Sequence, residues 1–118
     1  MKSRQAIAAL AALAHEHRLA IFRLLVERGP EGLAAGHIAS RLRLLPSSLT
    51  FHLQTLLRAG LISRRRESRQ LIYSADFEAM SALVGYLTEN CCAAGQASCA
   101  SACLPGTATS LAKPGRAA

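Results

Sequence analysis

The sequence has no tryptophan, and Phe, Trp and Tyr together make up only 4% of its 118 residues. A core without large rings must be assembled mainly from Leu, Ile, Val and Ala, which favours helices. No apolar run approaches the roughly 20 residues that a membrane-spanning helix needs. The Ala-rich stretch from Ala6 to Ala14 shows no cleavage pattern before His15, Glu16, His17 and Arg18, so a cytoplasmic protein with no membrane partner is expected. There are no internal repeats, and no carboxylate pair, nucleophile–base set or phosphate-binding glycine loop occurs, which argues against an enzyme. Cysteine is absent before Cys91, and acidic residues are absent between Glu31 and Glu67.

What is present completes the picture. With 51% hydrophobic and only 18% charged residues, disorder throughout the chain is excluded. The length fits one small domain, of a size that often gains stability by pairing, so a dimer is expected. Fourteen Lys and Arg against seven Asp and Glu give a net charge of +7, and twelve of the fourteen are Arg, the side chain suited to bidentate phosphate and guanine contacts. Double-stranded nucleic acid is the first partner that this charge suggests.

Apolar spacing marks out the elements. Ile7, Leu10 and Leu13 recur at helical intervals, and Leu19, Phe22, Leu25 and Val26 form the stripe of a second helix stopping at Gly29-Pro30. Ile38 and Leu42 place a short helix over about 36–44. Pro46 then opens another, with Leu49, Leu53, Leu56 and Leu57 as its buried face and Gly60 at its end. Residues 61–65 and 70–74 read as a β-hairpin whose turn spans Arg66 to Arg69. Asp76 can cap a last helix carrying Phe77, Met80, Val84 and Leu87. After Gly95 the composition turns to Ala, Ser, Gly, Thr and Pro. The chain therefore divides into a folded part, 1–95, and a flexible C-terminal segment, 96–118.

This order predicts a mainly α fold with a β-hairpin, a winged helix-turn-helix whose second helix lies in the major groove. Charge agrees, since Arg41, Arg43, Arg58, Arg64, Arg65 and Arg66 all fall in the stretch without carboxylates. Off the leucine stripe of the helix that opens at Pro46 lie Ser47, Ser48, Thr50, Phe51, His52, Gln54 and Thr55. The hydroxyls suit bases or phosphates, and Gln54 suits adenine. In the hairpin, Arg64, Arg65, Arg66 and Arg69 can grip phosphates or reach a minor groove. The plain alternative is a solvated helix face and a solvated turn. His15 and His17 read as a polar helix entry, and His37 and His52 as isolated residues without a chemical role.

Residues 10–90, about two-thirds of the chain, resemble the ArsR/SmtB family of metal-responsive repressors. The segments that carry the resemblance are Leu10-Ala-Ala-Leu-Ala with His17-Arg18-Leu19, the run from Pro46 through Phe51-His52-Leu53 to Ala59-Gly60-Leu61-Ile62, and Arg64 to Tyr73. The resemblance implies a homodimer joined through its first and last helices. Such a dimer would bind an imperfect palindrome as a repressor, with Tyr73 part of the wing, and would leave DNA when an ion binds. The Cys-Val-Cys pair of many arsenic-responsive members has no counterpart between Gly32 and Ile38. The Asp/His set of zinc-responsive members finds Asp76, Glu78 and Glu89 but no His. Glu89-Asn90-Cys91-Cys92 looks like a subgroup of arsenite-responsive members that carries its thiols there.

All four cysteines, Cys91, Cys92, Cys99 and Cys103, lie within thirteen residues. Cys91 stands four residues beyond Leu87, extending the last helix's stripe, with Cys92 turned about 100° away. Cys99 or Cys103 must supply a third thiolate, and Cys99 closes the shorter loop. Trivalent arsenic or antimony, soft and satisfied by three sulfurs, fits this set best. The alternatives are a soft divalent ion such as cadmium, lead or zinc, which for zinc would take all four thiolates, a thiol redox switch, and inert thiols. A reading of another class is a thiol-rich metal carrier that does not bind specific DNA.

Overall fold

Pro46 opens a helix and Gly60 closes it, just as the leucine spacing between them requires. The computed structural model describes residues 1–91. Its elements are α1 (Ser3–Leu13), α2 (Glu16–Arg28), a 3-10 turn (Gly29–Glu31), β1 (Leu33–Ala34), α3 (Ala35–Leu42), α4 (Pro46–Arg58), β2 (Ile62–Glu67), β3 (Gln70–Ala75) and α5 (Phe77–Leu87). Pro46 occupies the first turn of α4, where its missing N–H costs nothing. At the other end Gly60 takes φ +79°, so that its N–H donates to Leu57 O at 3.0 Å and the Leu61 N–H to Leu56 O at 3.1 Å, a Schellman closure. Asp76 caps α5 as expected, its carboxylate accepting from the Ala79 N–H at 3.0 Å.

The strands form one antiparallel sheet in the order β1-β3-β2. Ile21, Leu25, Ile38, Leu53, Leu56 and Leu61 are the largest fully buried side chains. They join α2, α3 and α4 to the start of the hairpin, and each contributes about 1.5–3 kcal/mol by leaving water. This aliphatic core positions α4 and the hairpin side by side. One compact unit runs from Met1 to Tyr86, and the last described residues, Leu87 to Cys91, fall outside it. The boundary expected after residue 95 lies outside the described residues.

Four local expectations are corrected. Helix α1 turns Ala6, Ala9 and Ala12 inward and leaves Ile7 64% and Leu10 42% exposed, because only small side chains let α1 lie close against α2 and α4. The hairpin turn is shorter than expected. Pairing continues to Glu67 opposite Gln70, and only Ser68 (φ +57°) and Arg69 form the turn, which places Arg66 in a strand. A further strand, β1, was not foreseen; its two residues pair Leu33 with Tyr73 and Ala34 with Ile72. Finally, α5 ends at Leu87 and not at the cysteines. Asn90 adopts φ +60° and the Cys91 N–H bonds to Thr88 O at 2.9 Å, so Cys91 sits in a turn and not on the helical stripe.

Candidate nucleic-acid interface

Helix α4 is two-sided. Leu49, His52, Leu53 and Leu56 are buried, whereas Ser47, Ser48, Thr50, Phe51 and Gln54 are all exposed on the opposite face. Phe51 is 57% exposed, a large ring held in solvent. Thr50 Oγ1 donates to Pro46 O at 2.9 Å, and Thr55 Oγ1 to Phe51 O at 3.0 Å. Outward, both hydroxyls therefore offer lone pairs and no proton, which suits amino groups on base edges better than phosphates. Gln54 forms no hydrogen bond among the described residues, so its amide is available for bidentate pairing with adenine. No side chain caps the start of α4, which leaves the first amides facing outward at the positive end of the helix dipole.

The hairpin sorts its arginines by strand alternation. Arg64 and Arg66 share a face with Tyr73 and Leu71, their cross-strand partners. Arg64 borders a groove with Gln54, Leu57 and Arg58 of α4, which joins the wing to the reading face. The side chains of Arg64, Arg66 and Arg69 have no ion pair or hydrogen bond among the described residues, so their charge is available to an anion.

Arg65, on the opposite face, is committed elsewhere. Its guanidinium donates to Glu31 O at 2.8 Å and to Pro30 O at 3.3 Å, and pairs with the Glu67 carboxylate at 2.8 Å. It straps the wing to the turn after α2. Tyr73, expected to face DNA, is only 6% exposed, because its ring packs into the hydrophobic core against the sheet face.

Sequence reasoning missed His52. It is not isolated: only 7% exposed, it lies 4.8 Å from the His15 ring and 5.7 Å from that of His17, with Arg18 Nη1 3.4 Å from its Nδ1. Burial, followed by the charges of His15, Arg18 and His17, holds its pKa below the ordinary imidazole value. The helical position of His52, one step beyond the leucine stripe, was the available signal. Among the described residues no three His, Cys, Asp or Glu side chains are placed to hold a metal ion. Of the predicted thiol ligands, Cys91 is exposed, while Cys92, Cys99 and Cys103 lie outside the described residues.

Fold and surface together place the molecule among winged helix-turn-helix DNA-binding regulators. Residues 13–65 match a helix-turn-helix domain family. The transcriptional activator HlyU of Vibrio cholerae is 34% identical over 94 residues, covering 80% of this chain and 84% of HlyU. The solved structure of reduced HlyU from the same organism superposes with a TM-score of 0.59 at 33% identity, covering 76% of this chain and 92% of that one. NolR from Sinorhizobium fredii gives a TM-score of 0.59 at 34% identity over 74% of this chain and 84% of its own. The homodimeric winged helix-turn-helix domain of Mb0332 from Mycobacterium bovis, described as a possible ArsR-family regulator, gives 0.60 at 27% identity over 74% of this chain and 81% of its own. The chain belongs to this ArsR-like family of winged helix-turn-helix transcriptional regulators and is a DNA-binding regulator of transcription.

Proposed function

We propose that the protein is a homodimeric repressor that leaves its operator when trivalent arsenic or antimony is captured by three of the thiolates of Cys91, Cys92, Cys99 and Cys103. The observation that carries the DNA half is the exposed face of α4, Ser47 to Gln54, standing beside Arg64, whose side chain has no partner among the described residues. The ion half rests on donor chemistry. Among the described residues no group of His, Cys, Asp or Glu is placed to hold a metal ion, the His15–His17–His52 gathering included, whereas four soft donors crowd into 91–103. The repressor mode rests on the resemblance of the sequence to metal-responsive repressors; the relative HlyU carries the name of an activator.

Pairing is supported by what one copy leaves uncovered. Ile7, Leu10, Leu19 and Val84 are exposed, and an apolar hollow of about 420 Å³ lies between α2 and α5, lined by Phe22, Val26, Met80 and Leu83 among others. Exposed apolar surface of this kind, on α1, α2 and α5, suits burial against a second copy. Mb0332 was solved as a homodimer.

Titrating the reduced protein with arsenite and following thiolate–arsenic absorbance tests the ion half, the expected end point being one ion per three sulfurs. A redox switch is a second reading, favoured by the relative HlyU having been solved in a form specified as reduced. An arsenite titration without response, together with reversible loss of DNA binding under mild oxidant, would select the redox reading. Ion binding without any sequence-selective DNA binding would select the thiol-rich carrier.

A further inference from the structure

We propose that His15, His17 and Arg18, gathered around the buried His52, form a phosphate-binding cluster on the flank of α4, giving DNA binding a component that strengthens as pH falls; this rests on the placement of α4 in a DNA groove.

Three imidazoles lie with ring centroids 4.8, 5.5 and 5.7 Å apart, and a guanidinium reaches the innermost of them at 3.4 Å. Such a gathering of groups that are or can become cations, without a carboxylate among them, is costly unless an anion joins it. Each packed element has a defined share. Helix α1 supplies only the Ala12 carbonyl, which accepts from Arg18 Nε at 2.7 Å. Helix α2 supplies His15, His17 and Arg18, with Glu16 exposed in the same turn and in no ion pair among the described residues. Helix α4 supplies His52 and, on the neighbouring groove, Thr55 and Arg58. The charges acting on His52 come from His15, Arg18 and His17, none of them acidic.

Burial first, and then the neighbouring His15, Arg18 and His17, disfavour the charged form of the inner ring. His15 is exposed and His17 half-buried; Nδ1 of His15 caps α2 by accepting from the His17 N–H at 3.1 Å, so the nitrogen that His15 leaves to an anion is Nε2.

Position makes the anion a backbone phosphate. Phe51, on the exposed face of α4, packs edge-on against His52 with centroids 5.7 Å apart, so the cluster begins where the reading face ends. A helix about 10–12 Å across fills a major groove about 12 Å wide, and its flanks meet the phosphate walls. The wing arginines face one wall, and the histidine cluster would face the other.

The test measures anisotropy of a labelled random-sequence duplex with the reduced full-length protein, at pH about 7.5 and about 6, on either side of the imidazole range, and at several salt concentrations. In the wild type the log–log salt slope should steepen by about 0.9 for each phosphate neutralised, so affinity should rise severalfold on acidification at low salt. The variant H15N/H17Q, in which Asn retains an acceptor at the start of α2, should keep its helical circular dichroism while losing the acid gain and the steepening of the salt slope.

Equal pH dependence in wild type and variant, or weaker binding in acid, overturns the cluster. A protein that binds duplex at neither pH overturns the reading of α4 as well as this inference. A free anion is distinguished by adding inorganic phosphate without DNA. Histidine NMR shifts saturating with phosphate, alongside pH-independent duplex binding, would assign the cluster to the free ion and overturn the DNA contact.

Discussion

Gly32 stands where the wing meets the body, and replacing it with alanine provides a quantitative check on this architecture. Gly29 and Gly32 adopt nearly the same backbone, φ +75° and ψ −157° against φ +70° and ψ −168°. Only glycine occupies this region readily, and a side chain there costs about 1–3 kcal/mol. The two sites differ in what a Cβ meets. At Gly29 it finds open space, whereas at Gly32 it runs into the Tyr73 carbonyl and presses on Ile72. Relieving that clash must part β1 from β3, where Leu33 pairs with Tyr73, at roughly 1 kcal/mol for each backbone hydrogen bond lost. Gly32→Ala should therefore cost about 3–5 kcal/mol and Gly29→Ala about 1–3. In urea the difference of about 2 kcal/mol should separate the midpoints by about 1 M, given slopes of about 1–3 kcal/mol per molar. The two variants must be compared at one protomer concentration, because pairing would add to apparent stability. Coincident unfolding curves would refute the close approach of the β1 segment to β3.

The wing arginines should separate by role. Arg64→Ala or Arg66→Ala should lower the salt slope of duplex binding by about 1 each, whereas Arg65→Ala should leave the slope nearly unchanged and increase hydrogen exchange in the turn Gly29–Glu31; equal slope losses in all three would contradict the strap. Because His52 has its pKa lowered in the folded chain, the unfolded state takes up the proton first, so stability should hold above the ordinary value of 6.5 and fall as pH drops below it. His52→Gln should flatten that fall in thermal melts between pH about 7.5 and about 5. Cys91→Ser and Cys92→Ser should leave duplex affinity intact while abolishing the response to arsenite, and loss of DNA binding in either would make the thiols structural.

Much of the fold was legible because its signals are local. Pro46, the leucine stripe, Gly60 and Asp76 each act within a turn or two, and the helices they bound appear where expected. What escaped depends on neighbours distant in sequence. Strand β1 is two residues of ordinary composition that become a strand only because β3 has a vacant edge. Ile7 and Leu10 read as a core face, yet the interior has room there only for alanine. The reading face of α4 was visible as the residues off the leucine stripe, but the roles of Arg65 and His52 were not. One is set by carbonyls more than thirty positions away in the chain, the other by a helix entry at His15. Alternation along the strand could have separated Arg65 from Arg64 and Arg66, had the hairpin register been known.

The central claim is that the polar face of α4 grips DNA under the control of the thiols. It is tested most directly by measuring the affinity of the reduced full-length protein for a duplex that it has itself enriched from random sequence, with and without stoichiometric arsenite. The account predicts sequence-selective binding that weakens by about 5- to 150-fold when arsenite is added, the range of typical coupling between sites. An unchanged affinity for the enriched duplex, with the ion demonstrably bound, would contradict it.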